Sequence, residues 1–345
     1  MRLSLCLSVT VPVPAGPLAA PRRVPEPAAE RRLAAMGTML SVRVEGNDRD
    51  RALAASESAA AEIARIEDLL STWKTGGALE RLNHAPAGRP VEVGAEVASL
   101  LREVRAWSSR TLGAFDPTVL PLVLAWDLRG AGRVPGASAL AAAAAATGWS
   151  GFALPAGRAG LRARAVRTRA DSGIDEGAWG KGYALDRARR ALAAAGVRRA
   201  TLDLGGQVMV LGSAVVSIAD PRERRRCAGW IDVEDQSVST SGDSERFRDV
   251  GGRRIGHLLD PRTGRPAPDF GSATAVARTG LVADILSTAF FVLGPREGLA
   301  LSRKLNRNGF ANEALFLIAE RGAVKAVTTQ GLYFHPLDKS GMEEK

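Results

Sequence analysis

The sequence predicts a protein of mixed helices and strands, folded as one large domain or as two lobes. Three observations lead there. The chain has 345 residues, 46% of them apolar, which suffices for a full hydrophobic core. Segments with apolar residues at helical spacing (49–70, 95–111, 181–195 and 282–293) interleave with short alternating or apolar runs of strand length (39–44, 201–204, and 314–319 with 323–329). Three of the helical segments stop beside a glycine, at Gly113, Gly196 and Gly294, the residue that most easily takes the left-handed conformation at a helix end. No apolar run is long enough to span a membrane.

Taken in order, residues 1–32 read as a leader and linker. Arg2, the apolar Leu3 to Val13 and the small residues of Ala15 to Ala20 resemble a short signal peptide, and Pro21 to Arg32 is a Pro- and Arg-rich linker. The folded part begins near Leu33. Met39 to Val44 alternates as a strand, and Gly46-Asn47-Asp48 ends it and caps the helix Arg49 to Leu70. Trp73 follows that helix; it can stack on an aromatic ligand, but the residues by themselves favour a helix-end core tryptophan. The next helix, Ala95 to Thr111, carries Val97, Leu100, Leu101, Val104 and Trp107 on one side. In Gly113 to Thr118 the Asp116 side chain is expected to fold back on nearby N–H groups, as a capping turn or as a ligand loop. Val119 to Trp126 is apolar, and Ser138 to Ala146 is an alanine-rich helix.

Ile174 to Asp186 is the stretch densest in glycine and charge. A strand is expected to feed a turn with Gly177, Gly180 and Gly182 that opens the helix Lys181 to Ala195. Free N–H groups and the positive end of the helix dipole have the physics of a phosphate cradle, although neither the Walker nor the dinucleotide spacing is present. Thr201 to Leu204 is a short strand ending at Gly205-Gly206, and Val238 to Asp243 reads as a loop of hydroxyls, glycine and carboxylate. Ile255 to Asp260 reads as a strand running into the turn of Pro261 to Gly264, with His257 and Asp260 presented at its end to a ligand or to solvent. In the helix Val282 to Leu293, Asp284 and Thr288 are four apart and share a face. That pair suits a hard cation such as Mg²⁺, or Asp284 simply complements the helix dipole from a surface position. Ala314 to Ala319 and Ala323 to Thr329 form a closing hairpin.

Composition removes several classes of function. The net charge of +10 raises nucleic acid or a membrane surface as partners. The charge is nearly all arginine, spread along the chain, and with 5% aromatic residues there is no stacking platform of the kind single-strand binders use. No nucleic-acid partner is expected. Cys6 and Cys227 are the only cysteines, too few for a zinc site or disulfide framework and not placed as a thiol nucleophile.

Six motifs in order carry a resemblance: Gly113-Ala-Phe-Asp-Pro-Thr118, Gly177 to Asp186, Asp203-Leu-Gly-Gly206, Ser239-Thr-Ser-Gly-Asp243, His257 to Pro266, and Ala283 to Thr288. From about Met36 to about Tyr333 the chain resembles the ApbE-type FAD:protein FMN transferases. The resemblance implies a two-lobed α+β fold with mainly antiparallel sheets and flanking helices, as a single domain over 33–337 with a tail at 338–345. It implies an enzyme that binds FAD, holds Mg²⁺ and attaches FMN through a phosphoester bond to a threonine of an acceptor flavoprotein, releasing AMP. The acceptor is expected to carry a flavinylation motif with serine or threonine and to be membrane-associated, and the site of action to be the periplasm or cell envelope, with the cytoplasm left open.

By the same resemblance Met36, Trp73, Ala114, Phe115, Asp116 and Lys181 stand at FAD-contacting positions, with His257 and Asp260 beside them, and Trp73 stands where the family often has tyrosine. Asp284 and Thr288, with the backbone carbonyl of Gly180, stand at the metal site, and His257 at the base. Glu176 and Trp179 depart from the family's Leu and Ile and are expected to alter the cradle; Gly180 replaces a frequent alanine, which a carbonyl ligand tolerates. Asp269 to Thr274 resembles an acceptor motif without its Gly-Ala order and falls in a family strand, so self-flavinylation is not expected. Neutralising the FAD pyrophosphate calls for Mg²⁺ and Lys181, and a threonine hydroxyl needs a base such as His257, a contribution of roughly 10²–10⁴-fold. Water in place of threonine makes the same site a Mg²⁺-dependent FAD pyrophosphatase, and a non-catalytic FAD-binding protein is the alternative from another class. His257, Asp284 and Thr288 together argue against the inert binder.

Overall fold

The computed structural model describes residues 28–155, 162–243, 247–320 and 323–337, so the expected signal peptide and the C-terminal tail lie outside the described residues. The chain opens with β1 (Ala29–Ala35) and β2 (Thr38–Val44), joined through Met36 and Gly37, both at positive φ. β1 begins within the stretch expected to be linker, four residues before the expected start at Leu33: it pairs with β2 along its whole length and buries Ala29 and Ala35. Asp48 caps α1 (Arg49–Leu70) by accepting from the Arg51 N–H at 3.0 Å. Ala52, Ala55, Ala59, Ile63, Ile66 and Leu70 form its buried stripe. There follow α2 (Ala78–His84), β3 (Pro90–Glu92), α3 (Gly94–Arg110), α4 (Leu120–Ala125), α5 (Ala137–Ala146), β4 (Phe152–Ala153), β5 (Arg164–Arg167) and α6 (Gly180–Ala194). Six strands come next: β6 (Ala200–Leu204), β7 (Gln207–Leu211), β8 (Ser213–Asp220), β9 (Glu223–Glu234), β10 (Ser237–Gly242) and β11 (Phe247–Val250). The last part holds β12 (Arg253–Gly256), β13 (Leu259–Asp260), β14 (Arg265–Pro266), β15 (Gly271–Ala277), α7 (Gly280–Arg307), β16 (Asn312–Glu320), β17 (Ala323–Thr328) and β18 (Phe334–Pro336).

The architecture is α+β with antiparallel sheets. Eight strands run in the order β1-β2-β6-β7-β10-β15-β16-β17, each antiparallel to its neighbours. On one face α1, α6 and α7 pack around Ile63, Ile66, Leu185, Leu192, Phe290 and Phe316 in the main core. The other face of the central strands buries Val210, Val238, Val276, Leu315 and Leu317 against Val216, Ile218, Ile231 and Val233 of the β8–β9 hairpin. β15, buried at every residue, is covered on both sides, which its run of small and apolar residues allows. A third, smaller cluster joins Leu122, Trp126 and Ala143 to Ile255 and Leu259 and supports the loop carrying His257. Among the described residues no helix is long and apolar enough to cross a membrane.

Four expectations change. Val238 to Asp243, expected as a loop, is mostly the central strand β10, because its hydroxyls find partners and its alternate residues fill the core. The strand expected over Ile255 to Asp260 is interrupted at His257, whose N–H donates to the Asp243 carboxylate at 3.1 Å instead of to a neighbouring strand. No strand feeds the glycine-rich turn; a single parallel bridge between Val119 and Gly173 stands in its place. Gly294 does break the helix as expected, at φ 74°, but the chain resumes helically from Pro295 to Arg307, proline being well suited to a first helical position.

Candidate functional site

β10 sets out the site. Side chains alternate across a strand, so while Val238 enters the core beneath β8 and β9, Ser239, Ser241 and Asp243 project the other way, toward α7 and the His257 loop. Ser239 Oγ accepts from Ser287 Oγ at 3.1 Å and helps draw down the proton affinity of the Asp284 carboxylate. Ser241 Oγ lies 3.0 Å from Ser287 Oγ and 3.5 Å from Thr288 Oγ1. Asp243 Oδ1 accepts the His257 N–H at 3.1 Å and lies 2.9 Å from His257 Nδ1. Ser239 to Asp243 covers about 13 Å along the strand, the scale of a diphosphate with an attacking hydroxyl beside it.

A carboxylate beside Nδ1 favours the Nδ1–H tautomer of the neutral ring, the one that leaves the lone pair on Nε2. Asp243 is 2% exposed, and it reaches the histidine only because Gly256 has no side chain: a Cβ there lies 2.0 Å from Asp243 Oδ2. Sequence reasoning quoted Asp243 within a motif but did not assign it to the site. The signal was its phase, two and four residues from Ser241 and Ser239.

The other half of the site is a crossing of two helix starts. Gly182 and Gly280 touch backbone to backbone: a Cβ on Gly182 lies 2.1 Å from the Gly280 carbonyl oxygen, and a Cβ on Gly280 lies 2.3 Å from that of Gly182. Each helix supplies a carboxylate to the other. Asp284 Oδ2 accepts from the Gly182 N–H at 3.0 Å, and Asp186 accepts from the Gly280 and Leu281 N–H groups at 2.7 and 3.0 Å. Two expectations are corrected here. Asp284 is buried, at 4% exposure, not surface-facing. The glycine-rich turn is also not a cradle of free N–H groups, because that of Gly177 goes to Asp175 Oδ1, that of Gly180 to the Glu176 carbonyl and that of Gly182 to Asp284. Positive charge near the turn comes instead from Lys181, which draws the Asp284 proton affinity down while burial, the larger effect, pushes it up.

Burial raises Asp186 to about 6, against the pull of its two N–H donors and of Arg190 and Arg189. The folded chain therefore holds this proton more tightly than the unfolded one. Its stabilising contribution is complete below about pH 4 and is lost as the pH rises through about 6. Asp116, Glu176 and Asp284, also raised by burial, act in the same sense. Subtracting the unfolding free energy of Asp186→Asn from that of the parent should give a difference that falls by about 2 kcal/mol between about pH 4 and 7. Urea melts across that range check this, and a flat difference contradicts it.

The remaining predicted residues surround this centre. Met36 donates its N–H to Glu67 Oε2 at 3.0 Å, and its Cε lies 3.6 Å from where a Gly180 Cβ stands. The 113–118 turn is joined to the glycine-rich loop by the Asp175 N–H to the Pro117 carbonyl at 2.7 Å, and to the 260–264 turn by Arg262 packed over Gly113. Ala114 and Phe115 are buried and pack into the main core. Asp116 Oδ1 accepts from the Thr118 N–H and hydroxyl at 2.9 and 2.7 Å. Asp260 is corrected: both its oxygens accept from Arg262, at 2.8 and 2.9 Å, so it builds the turn instead of facing a ligand. Trp73, expected in the core on residue type alone, is 66% exposed, with the Arg129 guanidinium 4.5 Å from its ring centre. Arg129, not predicted, also donates to Thr72 Oγ1 and Asp175 Oδ2 at 2.6 and 2.5 Å. Glu176 turns inward to accept from the Thr72 N–H and hydroxyl, and Trp179 is fully buried, so both side chains pack beneath the turn.

The model of the ApbE family matches residues 36–311. The chain belongs to the ApbE family. It is 32% identical over 282 residues to a FAD:protein FMN transferase of Klebsiella pneumoniae, covering 78% of this chain and 79% of that one. A FAD:protein FMN transferase of Salmonella typhimurium is 30% identical over 300 residues, 83% of either chain. Among solved structures, the ApbE protein of Thermotoga maritima superposes with a TM-score of 0.76 at 29% identity, over 88% of this chain and 97% of the other. The flavinyl transferase ApbE of Pseudomonas stutzeri gives 0.72 at 27%, over 88% and 94%.

This ApbE-family chain offers a cation one buried carboxylate, Asp284, with Thr288 one helical turn on along the same face and the Ser241 hydroxyl 3.5 Å from that of Thr288. Among the described residues no group of three or more His, Cys, Asp or Glu could hold a metal. That donor set fits a hard cation such as Mg²⁺, which keeps several waters or substrate oxygens, and does not suit zinc. The family protein's helix crossing is equally specific: Gly182→Ala forces a Cβ into the Gly280 backbone and is expected to cost about 3 kcal/mol or more. Thermal unfolding checks this, and a parental Tm contradicts the close approach.

Proposed function

We propose that this protein is a Mg²⁺-dependent FAD:protein FMN transferase that attaches FMN to a threonine hydroxyl of an acceptor flavoprotein and releases AMP. The observation that carries the reading is that β10 and the residue directly after it reach both halves of the chemistry: Ser239 and Ser241 meet Ser287 and Thr288 of the helix that carries Asp284, while Asp243 holds His257. A protein that only stores flavin has no use for an oriented base beside a cation site. The transferase names of the relatives support the same activity.

In this reading Asp284, Thr288 and the Gly180 carbonyl hold Mg²⁺, which when bound neutralises charge on the FAD pyrophosphate. Lys181 adds a second positive charge on the same anion. Trp73 offers its exposed ring for stacking, steadied by Arg129, while Met36 and the 114–116 backbone border the ligand. Asp243 orients the His257 ring through Nδ1, which leaves Nε2 as the free nitrogen of the neutral imidazole, and Nε2 takes the proton of the acceptor hydroxyl as that oxygen attacks the FMN phosphorus. The bond from this phosphorus to the bridging oxygen breaks, and AMP leaves. Bound water in place of threonine would be the hydrolytic side reaction. The acceptor presents a threonine-bearing segment, and the envelope face of the membrane is the expected compartment. Because contacts from Trp73 to Lys181 span more than a flavin ring, the protein should bind FAD in preference to FMN or riboflavin. Calorimetry with the three ligands tests this, and equal affinities contradict it.

A further inference from the structure

We propose that Asp186 is a positioning residue for the cation site, acting through α7 on Asp284; the inference rests on the cation-site reading above. Asp284 lies one helical turn beyond Gly280, about 6 Å along the axis, so its carboxylate goes where the start of α7 goes. Three observations show how that start is held. Asp186, reaching from the second turn of α6, accepts from the Gly280 and Leu281 N–H groups with one oxygen each. Gln207 Nε2 donates to the Gly280 carbonyl at 2.9 Å. Gly182 and Gly280 meet with no room for a Cβ on either, so any shift of α7 along or about its axis must first open the contact that Asp186 clasps.

The arrangement is reciprocal. Asp284 Oδ2 is tied to the Gly182 N–H, four residues and about one turn before Asp186 on the same helix. With Oδ2 spoken for by α6, the direction in which the rest of the carboxylate is offered depends on how α7 sits against α6. Asp186 fixes that relation with a fork of two acceptors for two adjacent donors. An asparagine there supplies one acceptor and sets an NH₂ group against the second N–H, which opens one prong of the fork while keeping size and shape. Thr279 also caps α7, accepting from the Val282 N–H at 3.3 Å, but it belongs to α7 itself and does not relate the two helices. The two caps therefore separate positioning from simple helix stability.

The test is Mn²⁺ titrated into FAD-saturated protein, with free Mn²⁺ read by electron paramagnetic resonance, in the parent, Asp186→Asn, Asp186→Glu and Thr279→Ala. FAD affinity in EDTA and Tm are measured alongside. Asp186→Asn is expected to weaken Mn²⁺ binding by about 10-fold or more with FAD affinity in EDTA unchanged, and its transfer rate should recover at high Mg²⁺. Thr279→Ala should lower Tm and leave Mn²⁺ affinity at the parental value. Asp186→Glu, which keeps two acceptor oxygens, should fall between, and it carries the comparison if the asparagine variant does not fold. Parental Mn²⁺ affinity in a folded Asp186 variant overturns this inference alone. Absence of Mn²⁺ binding by the parent overturns the cation site and this inference with it.

Discussion

His257→Asn is expected to keep FAD affinity near the parental value and to cut FMN transfer by roughly 10²–10⁴-fold, the usual share of a general base. Its backbone N–H to Asp243 is untouched by the substitution, so the loop should keep its course. The deficit should shrink as pH rises, because solvent hydroxide replaces part of the missing base. Asp243→Asn, which leaves the imidazole in place but no longer selects the Nδ1–H tautomer, should lose transfer on a similar scale without losing FAD. Transfer rates and FAD affinities measured from about pH 6 to 9 decide the point. A drop in affinity that tracks the drop in rate, with an unchanged pH dependence, assigns His257 to phosphate binding instead.

Asp284→Asn should abolish metal-dependent transfer, a loss of about 10³-fold or more if the cation supplies several kcal/mol of charge stabilisation, and still fold. The two effects separate because Asp284 is buried and charged. An asparagine oxygen can still accept from the Gly182 N–H at the helix crossing, and the cost of desolvating a carboxylate, the largest influence on this group, disappears with the charge. Tm is therefore expected to hold or rise while the dependence on added Mg²⁺ vanishes. Parental activity at limiting Mg²⁺ would leave Asp284 as a structural cap for α6 and nothing more.

What the sequence disclosed follows the range of the interactions involved. α1 and α3 were legible because an apolar stripe and a capping Asp48 or terminal glycine are local signals. His257, Asp284 and Thr288 could be singled out as candidates because their residue types are chemically distinctive and the motifs around them resemble a family. Asp243 was overlooked as a site residue because its role depends on β10 being a central strand, and a run of Ser, Thr and Gly looks like a loop until its hydroxyls are seen to pair with α7 and β15. Asp260 was misread for the converse reason: a carboxylate beside a His at a strand end looks functional, but Arg262, two residues on, takes both its oxygens. Arg129, Asp186 and the Gly182–Gly280 contact join segments from about 50 to 100 residues apart in the chain, and no local pattern announces such a meeting. The same distance hid part of the fate of the glycine-rich turn: the Gly177 and Gly180 N–H groups are taken by near neighbours, but that of Gly182 goes to Asp284, 102 residues on.

The most direct measurement is a mass spectrum of a threonine-bearing acceptor flavoprotein incubated with this protein, FAD and Mg²⁺, read together with the nucleotide released. The account predicts an acceptor heavier by one FMN phosphoester, lost when that threonine is changed to alanine, with AMP formed in equal amount and neither product appearing in EDTA. Unmodified acceptor with FMN and AMP accumulating free in solution would contradict the transferase reading and make the site a pyrophosphatase.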